Sequence, residues 1–128
     1  MARLLAVAVA VLAFAQPAGS ATATVRWFHS PTGNIQCEVA SRGPGGTFAF
    51  CQTFKAPRSA TLRRDGRTRV CRGVGCLGNG PENAFTLRYG RSVTVGPFRC
   101  TSRRSGMRCI VRASGHGFAI SRERLRVF

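Results

Sequence analysis

A chain of 128 residues leaves room for one domain at most, and 20 basic residues against four acidic ones, a formal net charge of +16, give it a field that draws in polyanions. The same composition sets aside much chemistry. With two His and four acids, and no HExxH, GxSxG or phosphate-loop pattern, there is little from which to build an acid–base or nucleophilic centre.

The chain opens with Met1-Ala2-Arg3, a short basic start, followed by an uncharged apolar run from Leu4 to Ala15 and then by small residues. Ala13-Phe14-Ala15 and Ala21-Thr22-Ala23 both fit a small-x-small cleavage site. This is the pattern of a secretory signal peptide over residues 1–23, cut between 15 and 23, with residues 24–128 left as one disulfide-stapled domain. The run is shorter than the roughly 20 apolar residues that a membrane span needs.

From Val25 onward the signals are those of short strands and tight turns. Val25 to His29 is rich in β-formers, and Ser30-Pro31-Thr32-Gly33-Asn34 is a turn. Ile35, Cys37 and Val39 alternate with polar residues and share one face. Residues 47–54 return as a strand with Phe48, Phe50, Gln52 and Phe54 on one side and Ala49 and Cys51 on the other. The aromatic side is expected in the core, by the usual preference of Phe for burial; its other use would be as a stacking platform for bases. Asp65-Gly66 marks a hairpin between strands at 59–63 and 67–71. Residues 77–83, rich in Gly and Asn, read as an exposed mobile loop. Strand signals resume at 85–88, Tyr89-Gly90 turns the chain, and 91–95 alternates again. Phe98 to Thr101 and Met107 to Arg112 flank the turn around Arg103-Arg104. The tail from Ser121 is either a short helical turn capped by Ser121 or a closing strand with Leu125 and Val127 inward. The expected fold is all-β: a small antiparallel sandwich or barrel of about seven to nine short strands, stapled by disulfides.

Six cysteines in a short exported chain are read as disulfides, not metal ligands, since no paired CxxC motifs are present. Nearest-neighbour pairing is expected: Cys37–Cys51 and Cys100–Cys109 clamp hairpins, and Cys71–Cys76 closes a local loop. For the middle pair, a bridge to another hairpin is the alternative. Each short loop closure is worth ~2–3 kcal/mol, which matters in a domain whose burial margin is thin.

A wider pattern runs through these elements. Ser30-Pro31-Thr32-Gly33-Asn34-Ile35-x-Cys37, Cys71-x-Gly73-Val74-x-Cys76-Leu77-Gly78-Asn79, Tyr89-Gly90, Gly96-Pro97-Phe98-Arg99-Cys100-Thr101-Ser102, Gly106-x-x-Cys109 and Gly115-x-Gly117-Phe118-x-Ile120-Ser121 together resemble a family of small exported actinobacterial proteins of unknown function. The resemblance covers nearly all of the chain after the leader. It implies export and three short-range disulfides, and no activity.

The functional expectation is a secreted, non-catalytic binding module whose partner lies outside the cell or in its envelope. The basic residues favour an anionic partner: an envelope phosphate polymer, an anionic lipid surface, nucleic acid or an acidic protein. The competing account of the charge is coding bias, because 19 of the 20 bases are Arg and Lys55 is the only Lys. The candidate ligand residues are Arg99, Arg103, Arg104, Arg108 and Arg112 around the last clamped hairpin, with His116, which sits between Gly115 and Gly117 where backbone can approach a ligand. No cofactor, metal or catalytic residue is expected. The alternatives are a protein-binding or inhibitor-like module independent of charge, and a hydrolase or nuclease with His116 as acid and Glu38 or Glu82 as base.

Overall fold

The computed structural model describes residues 8–15 and 22–128. The basic start and the small-residue stretch at 16–21, which holds most of the expected cleavage window, lie outside the described residues. Residues 8–15 are exposed and have no regular structure. Among the described residues, no helix is long and apolar enough to cross a membrane.

The chain is all-β, as the alternation pattern predicts. One sheet has six strands in the order β5-β4-β3-β2-β1-β6: β1 (Thr24–His29), β2 (Ile35–Gly43), β3 (Gly46–Thr53), β4 (Arg58–Arg63), β5 (Thr68–Arg72) and β6 (Phe85–Thr86). The other has five in the order β11-β10-β9-β8-β7: β7 (Ser92–Val95), β8 (Phe98–Arg103), β9 (Gly106–Val111), β10 (Gly117–Ile120) and β11 (Leu125–Val127). The strands beyond the expected seven to nine are short pieces, two residues in β6 and three in β11.

The two sheets share one apolar core. Phe28, Leu62, Phe98, Met107, Phe118 and Ile120 fill it, all almost wholly removed from solvent. The cysteines pair as the spacing predicts: Cys37–Cys51, Cys71–Cys76 and Cys100–Cys109. Cys37 is directly opposite Cys51 between β2 and β3, and Cys100 directly opposite Cys109 between β8 and β9, each with Cα atoms 4.1 Å apart. The two clamps meet in the middle, where Cys51 Sγ lies 3.7 Å from Cys109 Sγ. With both cysteines disulfide-bonded, this is a van der Waals contact, and it joins the two sheets at their clamped hairpins. Cys71–Cys76 is a different kind of bridge. It closes a loop at the edge strand β5, with Cys71 exposed and Cys76 half-buried.

Two local expectations are corrected. The aromatic side of β3 is not in the core. Cys51 must face inward to join the sulfur contact, so the two-residue period carries Ala49, Cys51 and Thr53 inward and turns Phe48, Phe50 and Gln52 to the outer face. Phe54, beyond the strand, is exposed. The 77–83 loop is tied down: the Gln52 carboxamide donates to the Gly78 carbonyl at 2.7 Å and accepts from the Gly78 N–H at 2.8 Å. The turn expected at Tyr89-Gly90 is present, with the Arg91 N–H donating to the Arg88 carbonyl at 3.0 Å, and it carries the chain from one sheet to the other: β6 pairs in parallel with β1, Phe28 beside Phe85, while β7 pairs with β8.

The tail is a closing strand entered through a bend, not a helical turn. Ser121 Oγ accepts from the N–H groups of Glu123 and Arg124, making the turn, and Leu125 to Val127 then pairs with β10. Leu125 packs on the core, whereas Val127 remains half exposed.

Candidate functional site

The outer face of the five-stranded sheet follows from the same parity argument. On β8 the residues Phe98, Cys100 and Ser102 are buried, so Arg99 and Arg103 point outward. On β9 the buried set is Met107, Cys109 and Val111, which leaves Arg108 outward and Arg112 just past the strand end. Register then assembles the face. Arg108 is opposite Thr101 on one side and Ala119 on the other, and Ala119 is opposite Arg126. Two arginines thus flank one small residue. The ring of Phe128 lies under both, with the Arg108 guanidinium 4.8 Å and the Arg126 guanidinium 5.5 Å from its centroid. Cation–π contacts of this kind hold a guanidinium in place without neutralising it.

Among the described residues no carboxylate makes an ion pair on this face, although Glu123 lies at its rim, in one cleft with Arg103 and Arg104 and in another with Ala119 and Arg126. Glu38 lies on β2, Asp65 in the β4–β5 turn, Glu82 in the loop before β6 and Glu123 in the turn before β11. The ion pair found among the described residues, Arg67 with Asp65 at 3.9 Å, is elsewhere and exposed. At the rim of the face, Arg103 and Arg104 open onto a cleft of about 280 Å³, which Lys55, Arg122, Glu123, Thr32 and Asn34 also line. Arg104 stands over the Tyr89 ring at 5.1 Å.

Of the sequence-predicted ligand residues, the structure gathers Arg99, Arg103 and Arg108 on one face, with Arg104 and Arg112 at its two ends. It separates His116 from them. Gly117 is outward in register with Ile110, so His116, one residue earlier, is turned toward the other sheet, where its ring lies against Gly66 in the β4–β5 turn. Its flanking glycines have structural causes. Gly115 adopts a positive φ of 78° in the β9–β10 turn, and a Cβ at Gly117 would come within 1.9 Å of the Cys109 carbonyl oxygen. His116, Glu38 and Glu82 stand on three separate elements: the β9–β10 turn, the centre of β2 and the loop before β6. Sequence reading missed Arg126 and Phe128 as members of the face, since the tail's register with β10 is needed to place them.

A second feature lies on the opposite side of the molecule. The outer face of the six-stranded sheet carries the cross-strand row Trp27, Glu38, Phe50 and Thr61, set by β1–β2, β2–β3 and β3–β4 register. Phe48 and Arg63 form the next row. With Gly78 and Asn79 of the tied loop, these residues line a groove of about 320 Å³. Glu38 is half-buried there, and desolvation holds its carboxyl above the usual range. The disulfide register was the available signal for this face: with Cys51 inward, Phe48 and Phe50 have to be outward.

Residues 51–128 match the Family of unknown function (DUF6636), a span that runs from the middle of β3 to the end of the chain and includes the whole arginine face. No curated protein and no solved structure matches the chain.

Proposed function

The chain belongs to DUF6636, a family of unknown function, so its role has to be argued from its surface, and we propose that it is an exported, non-catalytic module that binds an anionic partner through the outer face of the five-stranded sheet. The observation that carries this reading is the set Arg99, Arg103, Arg108 and Arg126 on one face of one sheet, none of them in an ion pair among the described residues. Scattered arginines would be adequately explained by coding bias. A face clamped from behind by Cys100–Cys109, with two guanidiniums steadied on Phe128, gives up little side-chain freedom on binding. Guanidiniums in fixed positions suit phosphate or carboxylate groups along a polymer or a charged surface. Three disulfides fit the oxidising environment outside the cytosol.

The test is a salt titration with a double-stranded DNA 20-mer as the polyanion probe. Affinity is expected to fall steeply and linearly on a log–log plot, and replacing Arg99, Arg103 and Arg108 by Ser is expected to lower the slope by about one for each phosphate that is no longer neutralised. The same replacement at Arg64, Arg67 and Arg69 is expected to change the slope less. A flat salt response, or equal effects of the two triple variants, overturns the proposal.

A further inference from the structure

Three large aromatic side chains lie on the solvent side of a sheet whose inner face takes only Ala49, Cys51 and Thr53 from the central strand β3. Trp27 and Phe50 bracket Glu38 in one cross-strand row, with Phe48 adjacent to Phe50 along β3. All three are half-buried by their neighbours and line the groove with the part of the ring that stays open. The 77–83 loop covers only one end. It is held by Gln52, and Gln52 also donates to Gln36 at 3.0 Å, so both carboxamide atoms of Gln52 are consumed in building the wall of the groove.

The polar groups that remain define the occupant. Glu38 makes no ion pair and no side-chain hydrogen bond among the described residues, although the chain carries 20 basic side chains. It therefore presents a half-buried acceptor, free of protein partners, between two aromatic rings. Arg63 and Asn79 supply donors from the far side of the groove, and Thr61 can do both. A wholly apolar ligand would strand the Glu38 carboxylate. A phosphate-bearing ligand would meet it as a like charge. A cationic ligand would meet Arg63 and the field of a +16 chain. What satisfies rings, acceptor and donors together is a neutral molecule with an apolar face and a rim of hydroxyls. We propose that this groove is a saccharide-binding site, which stacks a neutral pyranose ring on Trp27 and Phe50 and takes its hydroxyls with Glu38, Arg63 and Asn79. Its volume of about 320 Å³ falls at the lower end of the ~300–1,000 Å³ of small-molecule sites. The site is independent of the arginine face, which lies on the other sheet, and neutral saccharides do not report on that face.

Trp27 is the sole tryptophan, so its emission reads this groove alone. The oxidised protein is titrated with three neutral probes, chitotetraose in its fully N-acetylated form, cellotetraose and maltotetraose, and with an oligothymidylate as the competing stacking ligand. At least one tetrasaccharide is expected to give a saturable change in Trp27 emission that is unaffected by salt. Phe50→Ala and the near-isosteric Glu38→Gln, both on the outer face, are each expected to weaken that binding about tenfold or more, as removal of a stacked ring or of a charged hydrogen bond does. Their circular dichroism is expected to match the parent. No response to any of the three saccharides overturns the proposal. So does binding that Phe50→Ala and Glu38→Gln both leave intact. A response to oligothymidylate alone, steep in salt and abolished in Phe50→Ala, makes the groove a nucleobase platform instead.

Discussion

Glu38 shows how one side chain records the cost of its surroundings. Trp27 and Phe50 on either side remove water from the carboxylate, and Arg63, Thr61 and Gln52 line the same groove without bonding to it. Burial raises its pKa, so the folded state prefers the protonated form more strongly than the unfolded chain does. The stabilising contribution of that protonation is fully present below the unfolded-state pKa of an ordinary Glu and is lost as pH rises through the higher folded-state value. Glu38→Gln is neutral at every pH. The variant is therefore expected to melt at a higher temperature than the parent at pH 7, with the difference shrinking as pH falls through the raised folded-state value and gone below the reference Glu pKa of about 4.3. Melting curves of the two proteins across that range check it, and a difference that grows on acidification contradicts the assigned cause.

At the scale of elements, the tied loop and the strand it rests on form a unit. Gln52 is almost fully buried and makes three hydrogen bonds, two to Gly78 and one to Gln36. Close packing continues at Gly80, where a Cβ would meet the Gln36 carboxamide at 2.3 Å. Removing the Gln52 side chain leaves the Gly78 N–H without its acceptor, at a local cost of about 1–3 kcal/mol. Gln52→Ala is expected to speed amide exchange through residues 77–83 by about tenfold or more while amides of β8 and β9 keep their protection. Hydrogen-exchange mass spectrometry distinguishes this from general destabilisation, in which both regions would change together. The sequence of this loop, Gly and Asn with a Pro, carries the composition of a mobile segment, and nothing in it shows the partner on another strand. Hairpins were legible because their contacts are local: cysteine spacing, Asp65-Gly66 and the Arg103–Gly106 turn each report on residues close in the chain. The parallel pairing of β6 with β1 joins residues more than fifty positions apart, and no local pattern encodes it.

At the scale of the whole molecule, the two sheets present unlike outer surfaces, one of arginines and one of aromatic rings around a carboxylate. Which side of each strand faces out was the least legible feature of the sequence. On β3 the aromatic set and the Ala49–Cys51 set have the same two-residue period, and hydrophobicity favours the wrong one. The sulfur contact decides between them, and it is a relation between two distant hairpins. That contact also fixes an order of events in the making of the protein. Cys37, Cys51, Cys100 and Cys109 all have zero exposure once the sheets have closed, so neither an oxidant nor a disulfide isomerase can reach them afterwards. Both hairpins must therefore acquire their bonds while the sandwich is still open. Each can do so alone, since each bond spans a single turn of chain, with sequence separations of 14 and 9. In oxidative refolding followed by pulse alkylation and mass spectrometry, species holding both of these bridges are expected to appear before Trp27 emission reaches its native value, while the Cys71–Cys76 pair, exposed at the edge of β5, forms or reopens at any stage. Native emission with Cys37 or Cys100 still alkylatable would show that closure comes first. The finished core thus works as a latch that only an unfinished chain can set.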